Sequence, residues 1–127
     1  MSVVGVGTDI VEVSRIAQMA EGAKARLAQR VLTAVELEQY QAHSQPDHFL
    51  AKRWAAKEAA AKSLGTGIAA GVSFQHFHID NDEFGAPHLM LTDVALTKAS
   101  EKGADNWHIS ISDEKHYALA FVVLSKR

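Results

Sequence analysis

The sequence predicts an α+β domain with a mainly antiparallel sheet packed against helices. Three observations carry that expectation. A strand-like run opens the chain, three helix patterns crowd residues 14 to 64, and the second half holds two hairpin-like strand pairs separated by a short helix. With 127 residues, 47% of them hydrophobic, the chain fits one domain, 1–127, with an ordinary core.

Residues 3 to 11 interleave Val and Ile with Gly, Thr and Asp, a strand expected to end near Asp9. From Ser14 to about Val31, the residues Ile16, Met19, Ala20, Ala23, Leu27 and Val31 recur at helical spacing, and Ser14 is placed to cap the start. "TAVELEQYQAH" follows, with Thr33 and, three residues on, Glu36: the capping-box pattern of a second helix. The third helix lies in "FLAKRWAAKEAAAKSLGTGI", residues 49 to 68, preceded by the loop "HSQPDH" and closed by Gly65. "GVSFQHFHID" and "PHLML" read as strands around the turn-rich "NDEFGAP". "TDVALTKASEKG" predicts a short helix with Thr92 as N-cap and Gly103 at its C-terminal end. "NWHISISDEKHYALAFVVL" predicts a second hairpin that turns at "DEKH".

The composition excludes several classes. No cysteine means no disulfide framework, thiolate metal site or cysteine nucleophile, and a reducing cytoplasm is the simplest home. The apolar start has no basic segment and soon reaches Asp9 and Glu12, unlike a signal peptide; no apolar run approaches a membrane span. A net charge of −2 argues against a nucleic-acid binder, and no repeat or low-complexity linker is present. His76 and His78 would share a strand face, but no third ligand stands at a suitable spacing. "DNDEFG" begins like an EF-hand loop, yet Phe84 occupies a ligand position and no closing Glu follows, so a hairpin turn is expected.

Chemistry concentrates in residues 49 to 68. On a helix, Ala51, Trp54, Ala55, Ala61 and Lys62 share the face of Glu58. A carboxylate on a packed apolar face needs a cation. Lys62, one turn on, would make an ordinary ion pair; a divalent metal above both is the alternative. Lys52, Arg53, Lys57 and Lys62 outnumber Glu58 in a net acidic protein, which suggests a polyanionic partner, although a basic helix face is often merely solvated. Arg15, Lys24, Arg26 and Arg30 add a second basic group. Gly65 suits a helix C-cap and Gly67 a loop; the P-loop order of glycines before a helix is absent, but phosphates could approach this turn closely. Asp9 is the best remote carboxylate to share a metal with Glu58, or else an Asx-type cap.

Three segments carry a resemblance. "GVGTDIVEVSRI" at 5 to 16, "FLAKRWAAKEAAAKSLGTGI" at 49 to 68 and "HISISDEKHYALAFVV" at 108 to 123 closely resemble the holo-[acyl-carrier-protein] synthases, small phosphopantetheinyl transferases of bacterial fatty-acid synthesis. The resemblance implies the 4'-phosphopantetheinyl transferase fold and transfer of the phosphopantetheine arm of coenzyme A to a serine of apo acyl carrier protein. It implies Mg2+ on Asp9 and Glu58, and a homotrimer whose active sites lie between subunits. Lys62 would contact the pyrophosphate and stabilise the leaving group, making Asp9, Glu58 and Lys62 the catalytic set. Arg53, Lys57, Gly65, Thr66 and Gly67 would lie along coenzyme A, and Arg15 with Arg26 would meet the acidic carrier protein.

The serine proton would go to Glu58 or to a metal-bound water; a water-assisted transfer to a metal-holding acid is preferred. One position departs from the common pattern. Asp113 stands where many relatives place a histidine against the 3'-phosphate, a contact an ionised acid would repel, so His116 or a lysine would take it over. Two rival classes use the same residues: a non-catalytic module that binds coenzyme A or an acidic protein, and a Mg2+-dependent phosphohydrolase with no protein acceptor.

Overall fold

The structure, a computed structural model, describes residues 1–127. Strand β1 (Ser2–Glu12) leads into α1 (Val13–Ala17), α2 (Glu21–Val31), α3 (Ala34–Ala42) and α4 (Pro46–Ser63). A 3-10 turn (Phe74–His76), strands β2 (Phe77–Asn81) and β3 (Pro87–Leu91), helix α5 (Asp93–Glu101), β4 (Asn106–Asp113) and β5 (Tyr117–Lys126) complete the chain. The main sheet is antiparallel in the order β1-β5-β4, and β2-β3 forms a separate two-stranded sheet. The expected α+β class with antiparallel pairing is therefore what the chain adopts.

Several boundaries differ from expectation: α4 begins at Pro46, inside the expected loop "HSQPDH", and "GVSFQHFHID" makes a 3-10 turn at Phe74–His76 before its strand starts at Phe77. The single helix foreseen from Ser14 to Val31 is broken at residues 18 to 20, where Ala20 turns to extended backbone and serves as N-cap without a side-chain bond. Periodicity survives this break because Ile16 on α1 and Ala28 and Val31 on α2 still reach one core. Ser14 lies inside α1 and donates to Glu12 instead of capping. Strand β1 does not stop at Asp9 but continues to Glu12, pairing Asp9 with Ala120 and Glu12 with Tyr117. Thr92 precedes α5 as foreseen, although its hydroxyl donates to the His76 carbonyl.

Helix α4 is the centre of the molecule. Eleven of its eighteen residues are buried, which marks it as a core helix rather than a surface one. It lies on the sheet face formed by Gly5, Gly7, Asp9 and Val11 of β1 and by Ala118, Ala120, Val122 and Leu124 of β5. Small side chains permit the approach: Ala55, Ala56, Ala59 and Ala60 are all buried, and the Ala59 backbone abuts Gly7 of β1. Gly7 is required there, since a Cβ at that position would stand 1.9 Å from the Ala59 carbonyl oxygen. A Cβ at Gly5 would stand 2.2 Å from the Ser63 carbonyl oxygen. These alanines thus set the spacing between helix and strand.

Candidate active site

Backbone packing places the catalytic candidates together. Gly5, Gly7 and Asp9 alternate onto one face of β1, and the contact of Gly7 with Ala59 and Ser63 brings Asp9 beside the turn of α4 that carries Glu58 and Lys62. Lys62 Nζ donates to Asp9 Oδ1 at 2.8 Å and to the Thr8 carbonyl at 3.1 Å. The i,i+4 pairing of Lys62 with Glu58, open from the sequence, is therefore not the one formed. Glu58 is half-buried. The Lys62 side chain is 50% exposed, so it can exchange Asp9 for a phosphate oxygen at little cost.

The two acids fit Mg2+ by their chemistry. Hard divalent ions accept one or two carboxylates and fill the remaining positions with water and substrate phosphate. No group of three or more His, Asp or Glu that could hold a metal ion by itself is present. His76 lies in the 3-10 turn with Nδ1 accepting from the Ser73 amide, while His78 lies on β2, so the two do not alternate on a strand.

Beyond the helix, the backbone turns at Gly65 (φ 82°) and Gly67 (φ 63°), both left-handed values that favour glycine. The Gly65 amide donates to the Lys62 carbonyl and the Gly67 amide to the Ala61 carbonyl, closing α4 as a C-cap. Thr66, between them, bonds the Gly67 carbonyl through its hydroxyl. The loop adjoins the last turn of α4 and so borders the Lys62 side of the site.

The other cations of α4 divide in a way the sequence did not reveal. Lys57 is completely buried; its ammonium donates to Glu36 Oε1 at 2.6 Å and to the Val31 carbonyl at 2.8 Å. It belongs to the core, which corrects its placement along coenzyme A. Burial pulls its pKa down, opposed by Glu36. Arg53 is also buried, with Nε 3.8 Å from Glu36 Oε2 and its guanidinium 4.6 Å above the Phe49 ring. Desolvation likewise lowers its pKa against the pull of Glu36. The excess of positive charge that pointed to a polyanion is therefore partly answered from within by Glu36. A carboxylate in a capping box has a second oxygen that must find a donor when buried, and that was the signal available in the sequence.

Arg53 nevertheless lines a concavity of ≈ 140 Å³ with Lys52, Asn81, Gly85, Pro87, Ile111 and Asp113. Its Nε has no hydrogen-bond partner. Two cations against Asp113 make this a net positive pocket of phosphate size. A larger cavity of ≈ 320 Å³, lined by Val35, Gln39, Ile79, Leu89 and Met90 among others, holds no lysine or arginine and none of the catalytic candidates. The second basic group is also partly committed. Lys24 pairs with Asp47 at 3.0 Å, whereas Arg15, stacked on Trp54, Arg30, stacked on Phe74, and Arg26 remain exposed.

The chain is thus a small α+β domain with two acids, a half-exposed lysine and a glycine-turned loop towards the end of one core helix. Residues 5–122 match the 4'-phosphopantetheinyl transferase superfamily, and the chain belongs to that family. It is 59% identical over 124 residues to the holo-[acyl-carrier-protein] synthase of Shewanella frigidimarina, covering 98% of each chain. Among solved structures it is similar to holo-[acyl-carrier-protein] synthase from Neisseria meningitidis, with 42% identity, a TM-score of 0.87 and coverage of 98% and 99%. It is also similar to the enzyme from Bacillus anthracis in complex with CoA (3',5'-ADP), with 35% identity, a TM-score of 0.81 and full coverage of both chains.

Proposed function

We infer that this chain transfers the 4'-phosphopantetheine group of coenzyme A to a serine of apo acyl carrier protein, releasing adenosine 3',5'-bisphosphate and supplying holo carrier protein for fatty-acid biosynthesis. The observation that carries this reading is the seam between β1 and α4, where Gly7 lets Asp9, Glu58 and Lys62 share one end of the core helix.

Asp9 and Glu58 would hold Mg2+, which when bound neutralises and orients the pyrophosphate. Lys62 turns from Asp9 to an oxygen of the leaving phosphate and offsets the charge that grows there. The serine oxygen forms its bond to the β-phosphorus as the bond from that phosphorus to the bridging oxygen breaks, and the electron pair leaves with the adenosine bisphosphate. Glu58, with no cation of its own in the chain, receives the serine proton through a water. Gly65, Thr66 and Gly67 flank the nucleotide where no Cβ narrows the approach at either glycine. Arg53 and Lys52 take the 3'-phosphate, two cations offsetting the adverse charge of Asp113; a lysine and the buried arginine thus fill the role that histidine has in many relatives.

Exposed Arg15 and Arg26 present a basic surface to the acidic carrier protein. The outer face of the main sheet exposes Val6, Ile10, Leu119 and Phe121 together, a patch suited to a homotrimer in which each site is completed by a neighbouring chain. No helix is long and apolar enough to cross a membrane. With no cysteine to oxidise, the cytoplasm is the compartment we assign.

Product analysis tests the reading. Adenosine 3',5'-bisphosphate should accumulate only when coenzyme A, Mg2+ and apo carrier protein are all present, and Glu58→Gln should stop it. Phosphate or nucleotide release without a carrier protein would favour the phosphohydrolase, and binding of coenzyme A with no product would favour the non-catalytic module.

A further inference from the structure

The capping-box glutamate of α3 is engaged far beyond its own helix. Glu36 is 2% exposed, and both oxygens are occupied. Oε1 accepts from Lys57 Nζ at 2.6 Å and from the Thr33 amide at 2.9 Å. Oε2 accepts from the Ile79 amide at 3.0 Å and stands 3.8 Å from Arg53 Nε. One carboxylate thus joins the start of α3, the middle of α4 and the strand β2.

Those elements also build the positive pocket. Lys52 and Arg53 come from α4, while Asn81, two residues beyond Ile79 on β2, and Gly85 and Pro87 come from the hairpin. Arg53 itself is held by non-directional contacts alone. The guanidinium lies over the Phe49 ring and the Glu36 charge lies behind Nε, while buried Nε finds no acceptor within the chain. A long side chain held in this way keeps its donors available for a ligand only as long as the charge behind it remains.

We propose that Glu36 is the positioning residue of this pocket: it fixes the Arg53 guanidinium and anchors the root of the β2-β3 hairpin, so that the pocket is preformed for the 3'-phosphate of coenzyme A. The proposal rests on the assignment of Arg53 to that phosphate. Glu36 touches neither substrate nor reacting atoms and acts through Arg53 and Ile79. The buried network of Lys57, Arg53 and Glu36 carries a net charge of +1; Glu36→Gln raises it to +2 and sets Arg53 against Lys57.

The test is steady-state kinetics with coenzyme A and with 3'-dephospho-coenzyme A for the wild type, Glu36→Gln and Arg53→Met. Glu36→Gln should raise KM for coenzyme A about tenfold, the scale of one charge-assisted hydrogen bond, with kcat little changed and KM for the dephospho substrate unmoved. Arg53→Met should show the same selectivity. A Glu36→Gln protein with lowered thermal stability but unchanged KM for coenzyme A, beside an impaired Arg53→Met, would overturn the positioning role alone. Indifference of both variants to the 3'-phosphate would overturn the proposal together with the pocket assignment. If Glu36→Gln does not fold, Glu36→Met combined with Lys57→Met keeps the buried charge at +1, and the same rise in KM for coenzyme A is required of it.

Discussion

Replacing Gly7 by alanine tests the contact on which the proposed catalytic geometry depends. The new Cβ would lie 1.9 Å from the Ala59 carbonyl oxygen and 2.7 Å from the Ser63 amide nitrogen, where ordinary contact begins at 3.4 Å. Both obstacles are backbone atoms of α4, so no side-chain rotation relieves them. The helix must retreat from β1 by about 1.5 Å, opening a seam otherwise closed by buried alanines. Overpacking costs about 1–3 kcal/mol when side chains can adjust, and a backbone clash belongs at or above the upper end, roughly 3 kcal/mol. For a domain of this size that lowers Tm by about 10 °C. The same movement separates Asp9 from Glu58 and Lys62, and a misplacement of about 1 Å lowers catalysis about 100-fold. Scanning calorimetry and kcat/KM for carrier modification are the assays. Gly22→Ala is the control, since its Cβ would meet only an Arg26 side-chain nitrogen at 3.4 Å on exposed α2 and should leave both quantities intact or slightly raise Tm. Wild-type Tm and kcat/KM in Gly7→Ala would refute the role assigned to the seam.

Three further outcomes follow from the same structure. Lys57→Met should lose about 3 kcal/mol in urea unfolding, because Glu36 is left buried with only the more distant Arg53 to offset it; a loss below about 1 kcal/mol would contradict a structural role for Lys57. Phe121→Glu, on the exposed sheet face, should sediment as a monomer and lose most activity while keeping its circular dichroism, whereas a fully active monomer would remove the need for a shared site. Lys24 has its pKa raised above 10.5, chiefly by its hydrogen bond with Asp47, and only partly opposed by burial. A raised lysine pKa stabilises the fold below the unfolded-state value and ceases to do so as pH climbs through the folded one. The Tm gap between wild type and Lys24→Met should therefore be undiminished on this account up to about pH 10.5 and close above it, and a gap that widens there would reverse the assignment.

Local signals in the sequence carried much of the fold. The Thr33–Glu36 capping box forms as its spacing predicts, both hairpins turn where turn residues cluster, and Gly65 ends α4. What was illegible depended on distance along the chain. Nothing between Ser14 and Val31 announces the break at Ala20, because no side chain caps it and the apolar period continues across it. Asp9, Glu58 and Lys62 stand out as chemistry, but the meeting of Asp9 with Lys62 depends on the close approach of β1 and α4 at Gly5 and Gly7, a tertiary fact. The pairing of Lys62 with Asp9 over the nearby Glu58 is set by the same packing. Lys57 and Arg53 looked like surface charge because their partner, Glu36, already had a sufficient local explanation as a cap.

The central claim is group transfer onto a carrier serine at the Asp9–Glu58–Lys62 site, and the intact mass of the carrier protein measures it directly. Incubation of this chain with coenzyme A, Mg2+ and apo acyl carrier protein should add one phosphopantetheine mass to the carrier, with no gain in EDTA, with Glu58→Gln, or with a carrier whose acceptor serine is alanine. An unmodified carrier under the complete conditions, or a mass gain that persists in EDTA, would contradict the account.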